Sequence, residues 1–301
     1  MMTADLTASS PVPPPGGTAT LAGRPVARVG YGAMQLEQRH VPRDAAVAVL
    51  RQVVREGVNH IDTAEFYGEC NSFIRDALAP YADDLVLVSK VGAVRDAGGA
   101  LVPAQRPAEL RAQVEANLAS LGAERLAVVN LRRLDLSPGL VAQGDQRVDL
   151  DSQLAELTAL RDEGKIGGIG LSAVSTDRLR QALPAGIVCV QNMYSLLDRS
   201  DEPTLDLCRE HGIAWVPFFP LGSGMPNRPK VTDNPTVIAI AKEQAVTPAQ
   251  VALAWLLAHY DKTLLIPGTA SPAHLSENLA AGRVRLSPES VAEIDRLAPP
   301  A

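Results

Sequence analysis

Short runs rich in Val, Ile and Leu recur along this chain at residues 28–34, 58–62, 85–91, 126–132, 166–172, 187–191, 214–219 and 263–266. Each is too short for a helix and suited to a strand buried on both faces. Between them lie amphipathic stretches such as PRDAAVAVLRQVVREG and RPAELRAQVEANLASLG. Their apolar residues recur every three or four positions and they close on Gly, a helix stop signal. Strands joined by helical crossovers run parallel, and eight such units without a linker or a break in composition predict a single (β/α)8 TIM barrel of the α/β class. An open doubly wound sheet is the alternative, but the first strand-to-helix turn reads GYGAMQLEQRH instead of the GxGxxG that a dinucleotide-binding sheet requires.

Ahead of the first barrel strand, ATLAGRPVAR holds two apolar pieces around a Gly, the pattern of an N-terminal β-hairpin. Residues 1–18 are mostly Pro, Gly, Ser and Thr and predict a disordered tail, leaving 19–301 as the barrel domain. Two outer helices beyond the barrel set are expected at 247–258 and 287–297, the second opened by a Ser-x-x-Glu capping box.

Composition narrows the partners. The net charge is −6 and no cluster of Lys and Arg stands out, so neutralising the phosphates of a nucleic acid is not expected. No apolar run approaches the ~20 residues of a membrane span. Three cysteines, Cys70, Cys189 and Cys208, show neither a disulfide framework nor CxxC spacing, which fits a cytoplasmic protein, monomeric or a small homo-oligomer. The histidines have no metal-ligand spacing, so no metal site is expected; His60 reads as a satisfied core imidazole.

In this fold the chemistry sits at the C-terminal strand ends. VNHIDTAEFYGEC ends a strand at Asp62 and presents Tyr67 one short loop later, with Gly68 for the turn; DLVLVSKVGA ends near Lys90, LAVVNLRRLD at Arg132. A Tyr is a poor acid at neutral pH unless a nearby cation favours the phenolate, and a buried Lys stays charged when a carboxylate faces it. Asp62, Lys90 and Tyr67 therefore suit proton donation to a carbonyl oxygen that is being reduced. Arg132 is read either as a catalytic or substrate-contacting cation or as part of an ion-pair cluster with Arg133 and Asp135. A Schiff-base lyase or aldolase with Lys90 as nucleophile is the rival enzyme class, and a cofactor-binding barrel without turnover is the third reading.

RVGYGAMQL, GVNHIDTAEFYG, LVLVSKVG, GGIGLS, IVCVQNMYS, WVPFFPLGSG and LLIPGTASPAHLSEN, in this order, resemble the aldo-keto reductases from about Leu21 to Leu297. GYGAMQL, VVNLR and VPFFPLG are most similar to bacterial members that include pyridoxal reductases. The resemblance implies NADPH-dependent reduction of an aldehyde or ketone, with NADH as the alternative donor and a small-molecule carbonyl compound as substrate. It implies Asp62, Tyr67 and Lys90 as catalytic, with Arg132 where the family usually has His. It implies cofactor contacts from Gly32, Ala33, Met34 and Asp62, with Ser172 and Gln191 near the carboxamide, Phe218 stacked on the nicotinamide ring, and Leu221, Gly222 and Ser223 along the pyrophosphate. At the adenosine end it implies Gly268, Thr269, His274, Glu277 and Asn278. Ala173 stands where the family usually has an Asn that binds the carboxamide, and Gly268 where relatives place a Lys.

Overall fold

A computed structural model describes residues 12–37, 41–136, 139–222 and 229–297. The chain opens with an antiparallel hairpin, β1 (Thr18–Leu21) and β2 (Arg24–Ala27). Its turn residues Ala22 and Gly23 have φ of 49° and 76°, the left-handed pair that matches the twist of a two-residue hairpin. Leu21 and Val26 are 1% exposed and pack against Val86, Val128 and Leu264, so the hairpin plugs the floor of the barrel. The tail expected over residues 1–18 lies outside the described residues up to position 11. Nearer the hairpin the chain is held instead of loose: the Val29 and Arg28 amides donate to the carbonyls of Pro15 and Gly17.

Seven strands form one parallel sheet: β3 (Tyr31–Gly32), β4 (His60–Asp62), β5 (Val86–Val91), β8 (Val128–Arg132), β9 (Ile169–Ser172), β10 (Ile187–Gln191) and β11 (Ala214–Trp215). The eighth run closes it. Thr263 bridges Trp215 on one edge and Leu265 bridges Val29 on the other, both parallel, and Gly30 donates to the Leu265 carbonyl at 2.7 Å. The eight runs are thus the eight staves of a barrel. A second hairpin that the sequence pattern did not suggest, β6 (Ala93–Arg95) with β7 (Leu101–Pro103), projects beyond β5 at the mouth.

Crossover helices α1 (Arg43–Arg55), α2 (Cys70–Leu78), α3 (Pro107–Leu121), α4 (Leu150–Asp162), α5 (Thr176–Ala182) and α6 (Glu202–His211) follow their strands. α3 closes on Gly122 in the left-handed conformation, as its terminal Gly predicted. Two helices separate β11 from the eighth stave, α7 (Pro235–Glu243) and α8 (Pro248–His259). The stretch expected as an outer helix, α8, is buried at every position from Val251 to Leu257 and is the crossover itself. A helix covered all round belongs inside the layer structure; α7 is the outer addition. The chain ends with α9 (Pro272–Ala280) and the second outer helix α10 (Pro288–Asp295). The cap of α10 also differs from expectation: Ser287 accepts from the Ser290 amide, so its third position is Ser290 and no reciprocal Glu completes a box.

Candidate active site

Strand parity sends His60 and Asp62, then Val88 and Lys90, then Asn130 and Arg132, to the barrel interior, with the last of each pair at the mouth. There a cavity of about 220 Å³ is lined by Asp62, Tyr67, Lys90 and Arg132, by Ser172 and Gln191, and by Gly32, Met34, Phe218 and Gly268. Asp62, Lys90, Arg132, Ser172 and Gln191 are polar strand ends singled out by sequence, and they come from five different staves.

Lys90 pairs its Nζ with Asp62 Oδ1 and donates to the Thr63 carbonyl at 3.1 Å. The other carboxylate oxygen accepts from Gln191 Nε2 at 2.9 Å. Burial acts to lower the Lys90 pKa, but the Asp62 carboxylate and then the Tyr67 phenol outweigh it and leave it above the usual lysine value. An ammonium locked to a carboxylate and held in its charged form is a poor Schiff-base nucleophile, and the lyase reading is set aside on that ground. Lys90 Nζ lies 5.0 Å from the Tyr67 ring centroid, and Tyr67 reaches the cavity from a loop that turns at Gly68, φ 56°.

The two arginines of β8 and its exit part company. Arg133, 4% exposed, spends its guanidinium on Asp135, the Val148 carbonyl and Gln153. It holds the loop, and the expected cluster forms without Arg132. Arg132 turns into the cavity, its Cζ 5.9 Å from the Phe66 ring, and pairs with no carboxylate among the described residues.

His60 lies one strand step below Asp62, 1% exposed, and burial pushes its pKa down to about 4. It is a core imidazole as expected, but Nδ1 has no partner, so it is not fully satisfied. Cys70 is buried, its thiol donating to the Ala33 carbonyl at 3.2 Å, and burial pushes its pKa up to about 12. That thiol is inert.

The remaining expected contacts fall in three groups. Ser172 and Gln191 are buried at the ends of β9 and β10, and Phe218 is half-buried at the rim, edge-on to Phe219 at 5.4 Å. Ala33 is wholly buried beside Cys70 and does not line the cavity. Leu221 and Gly222 form a turn at the mouth, the Leu221 carbonyl accepting from Val231; Ser223 lies outside the described residues. At the last strand end the Thr269 carbonyl accepts from Tyr31 and its hydroxyl from the Ser271 amide. His274 is exposed in the first turn of α9. Glu277 is already engaged by the Thr247 hydroxyl at 2.6 Å, whereas the Asn278 side chain, on a residue 8% exposed, has no hydrogen-bond partner among the described residues. The Gly at 268 has a steric cause: a Cβ there would sit 2.4 Å from the Gly32 carbonyl, where the first and eighth staves meet, so a Lys is excluded.

These residues fit a nicotinamide dinucleotide. Gln191 Oε1 is buried in the cavity wall without a donor, the acceptor that a carboxamide NH2 needs. The aromatic Phe218 forms part of the same wall. A barrel with a Tyr beside a buried Lys–Asp pair at its mouth, and polar groups in the same cavity wall that fit a dinucleotide, has the makings of a carbonyl oxidoreductase. Residues 28–299 match the model of the Aldo/keto reductase family, and the chain belongs to that family. It is an NADP(H)-dependent enzyme that reduces aldehydes or ketones. It is 44% identical over 286 residues to pyridoxine 4-dehydrogenase of Escherichia coli (strain K12), covering 92% of this chain and 97% of that one. Among solved structures, an aldo/keto reductase from Klebsiella pneumoniae in complex with NADP and acetate superposes with a TM-score of 0.80 at 27% identity, covering 94% and 96% of the two chains. An aldo-keto reductase from the same organism in complex with NADPH gives 0.79 at 27% identity, covering 94% and 95%. No helix among the described residues is long and apolar enough to cross a membrane.

Proposed function

We propose that this enzyme reduces an aromatic aldehyde of the pyridoxal type to its alcohol, working in the cytoplasm as a monomer or small homo-oligomer. The similarity to pyridoxine 4-dehydrogenase supports the substrate class. The observation that carries the chemistry is the Lys90 ammonium, locked to Asp62 and lying 5.0 Å from the Tyr67 ring in one cavity. NADPH, when bound, supplies the hydride. Tyr67 supplies the proton: its hydroxyl hydrogen-bonds the carbonyl oxygen and transfers its proton as negative charge grows there. Lys90 favours the phenolate left behind, and Asp62 keeps Lys90 charged. The sum is aldehyde, NADPH and one proton giving alcohol and NADP+.

Gln191 and Ser172 hold the carboxamide end, and Phe218 packs on the ring. Gly32 and Met34 border the nicotinamide where the first stave ends, and Leu221 and Gly222 follow the pyrophosphate. Gly268 and Thr269 lead into α9, where Glu277 and Asn278 flank the adenine and His274 faces the 2′-phosphate. The test is a fluorescence titration with NADPH, then with NADH, followed by pyridoxal in the same cuvette. Binding of NADPH in the micromolar range, with oxidation on adding pyridoxal, is the expected result. Binding without oxidation would return the chain to the reading of a barrel that holds its cofactor without turnover.

A further inference from the structure

The cavity carries a charge that its own residues do not balance. Its ionisable lining comprises Asp62, Lys90, Arg132 and the Tyr67 phenol. Asp62 is spent: Lys90 takes one oxygen and Gln191 the other. Arg132 has no acidic partner within ion-pair distance among the described residues, while its neighbour Arg133 has taken Asp135. A guanidinium cannot shed its proton to relieve the cost of partial burial. The reduced nicotinamide ring and its carboxamide are neutral, and the turn assigned to the cofactor's pyrophosphate, Leu221 and Gly222, does not line this cavity, so an anion paired directly with Arg132 comes with the substrate.

Position decides where on the substrate that charge lies. Arg132 Cζ lies 5.9 Å from the Phe66 ring, whose centroid is 5.1 Å from that of Tyr67, and Arg132 and Tyr67 line the same cavity, so the guanidinium and the proton donor share one side of it. An anion paired with Arg132 therefore sits beside the carbonyl oxygen that Tyr67 holds, and a charge at the far end of a long substrate cannot reach it. The rest of the wall, including Met34, Phe218, Phe219 and Pro267, is apolar and partly aromatic, which suits a flat ring.

We infer that Arg132 is a specificity residue that selects aromatic aldehydes bearing an anionic oxygen on the ring carbon next to the aldehyde, pairing that phenolate with its guanidinium. This rests on the reductase reading above and adds to it a substrate class wider than any one vitamer.

The experiment compares kcat/KM for salicylaldehyde and for its methyl ether, o-anisaldehyde, across a pH range that spans the ionisation of the salicylaldehyde phenol. The two have similar size, and only the first acquires the charge. In the wild type the ratio of salicylaldehyde to o-anisaldehyde rises with pH, and Arg132→Met lowers that ratio roughly tenfold or more and flattens its rise, as loss of one charge-assisted hydrogen bond requires. Arg132→Lys, which keeps the charge without the planar fork, retains part of the rise. Thermal melting of each variant confirms that it is folded. An unchanged ratio in Arg132→Met overturns the inference. So does an equal, large loss on both aldehydes, which would put Arg132 on the reacting carbonyl oxygen. If wild-type protein oxidises NADPH with neither aldehyde nor with pyridoxal, it is the reductase reading that fails.

Discussion

Gln191 Nε2 donates to Asp62 Oδ2 at 2.9 Å, joining two staves whose residues lie 129 positions apart in sequence. The bond fixes the amide's orientation and leaves its oxygen buried at the cavity wall without a donor. On the proposed reading, one side chain steadies the Asp62 carboxylate and offers an acceptor to the carboxamide. Gln191→Leu removes both. The cofactor loses a buried hydrogen bond, about 1–2 kcal/mol, or roughly 5- to 30-fold in NADPH affinity. Fluorescence titration measures that loss, and kcat falls with it because Asp62 keeps one partner fewer. A variant with unchanged affinity would remove Gln191 from the cofactor site.

Tyr67→Phe deletes the proposed proton donor and removes only one oxygen from the cavity wall. The expected loss in kcat is ~10²- to 10⁴-fold with NADPH affinity retained, the range of general acid catalysis. Lys90→Met acts differently. It leaves the Asp62 carboxylate, 2% exposed, without its counter-charge, and breaking such a pair from one side costs about 3–5 kcal/mol of stability. Pairing it with Asp62→Asn restores much of the stability and none of the activity. Urea unfolding beside steady-state rates separates the two effects.

The sequence exposes the features that depend on local pattern. Eight apolar runs alternating with amphipathic stretches foretell the barrel, and the polar residue ending each run foretells the cavity wall. What it hides depends on tertiary contact. Arg132 and Arg133 are adjacent and chemically alike, and only the path of the loop hands Asp135 and Gln153 to one of them. The sequence reads α8 as an outer helix because an all-apolar helix shows no stripe to say which face is outside, whereas it is the crossover. The Gly at 268 is explained only when the first and eighth staves are seen to touch. The β6–β7 hairpin did leave a signal, the Asp96 and Gly98-Gly99 turn, where Asp96 Oδ1 accepts from two backbone amides.

Acid should weaken the fold in two steps. His60 titrates near 6.5 when unfolded but about 4 when folded, because burial opposes its charging. Between those values the unfolded chain binds the extra proton, so stability falls as pH drops from ~6.5 to ~4, by up to about 1.4 kcal/mol per pH unit. The second step belongs to Glu202. Burial acts to raise its pKa, but hydrogen bonds from His259 at 2.8 Å and Tyr194, with Arg209 adding another at 2.9 Å, hold it at about 2 against an ordinary 4.5. Its contribution is present above the unfolded value and is lost as pH falls towards 2. Urea midpoints measured from pH 7 to pH 3 should decline across both windows. His60→Leu should remove the first decline, and Glu202→Gln should be less stable than wild type at pH 7, with the gap narrowing but not closed at pH 3.

Ala173 follows Ser172 at the barrel mouth with φ of 54°, a left-handed conformation that a Cβ disfavours. The conformation is imposed by its surroundings: the Ala173 amide donates to the Gln191 carbonyl at 3.0 Å, and the next amide, Val174, donates to Asn192 Oδ1 at 3.1 Å. Left-handed backbone costs an L-residue about 1–2 kcal/mol, and Asn pays less of it than Ala. Because the residue lines the cavity beside Ser172, an Asn there also offers an amide towards the carboxamide. Ala173→Asn should therefore raise the melting temperature of the free protein by about 2–4 °C for each kcal/mol of strain relieved, and tighten NADPH binding several-fold. Ala173→Gly separates the two contributions, since it relieves the strain but offers no amide. It should match the Asn variant in melting temperature, within the entropic penalty of Gly, and leave NADPH affinity at the wild-type value. Equal affinities in all three proteins would mean that this position steers the backbone alone and never touches the cofactor.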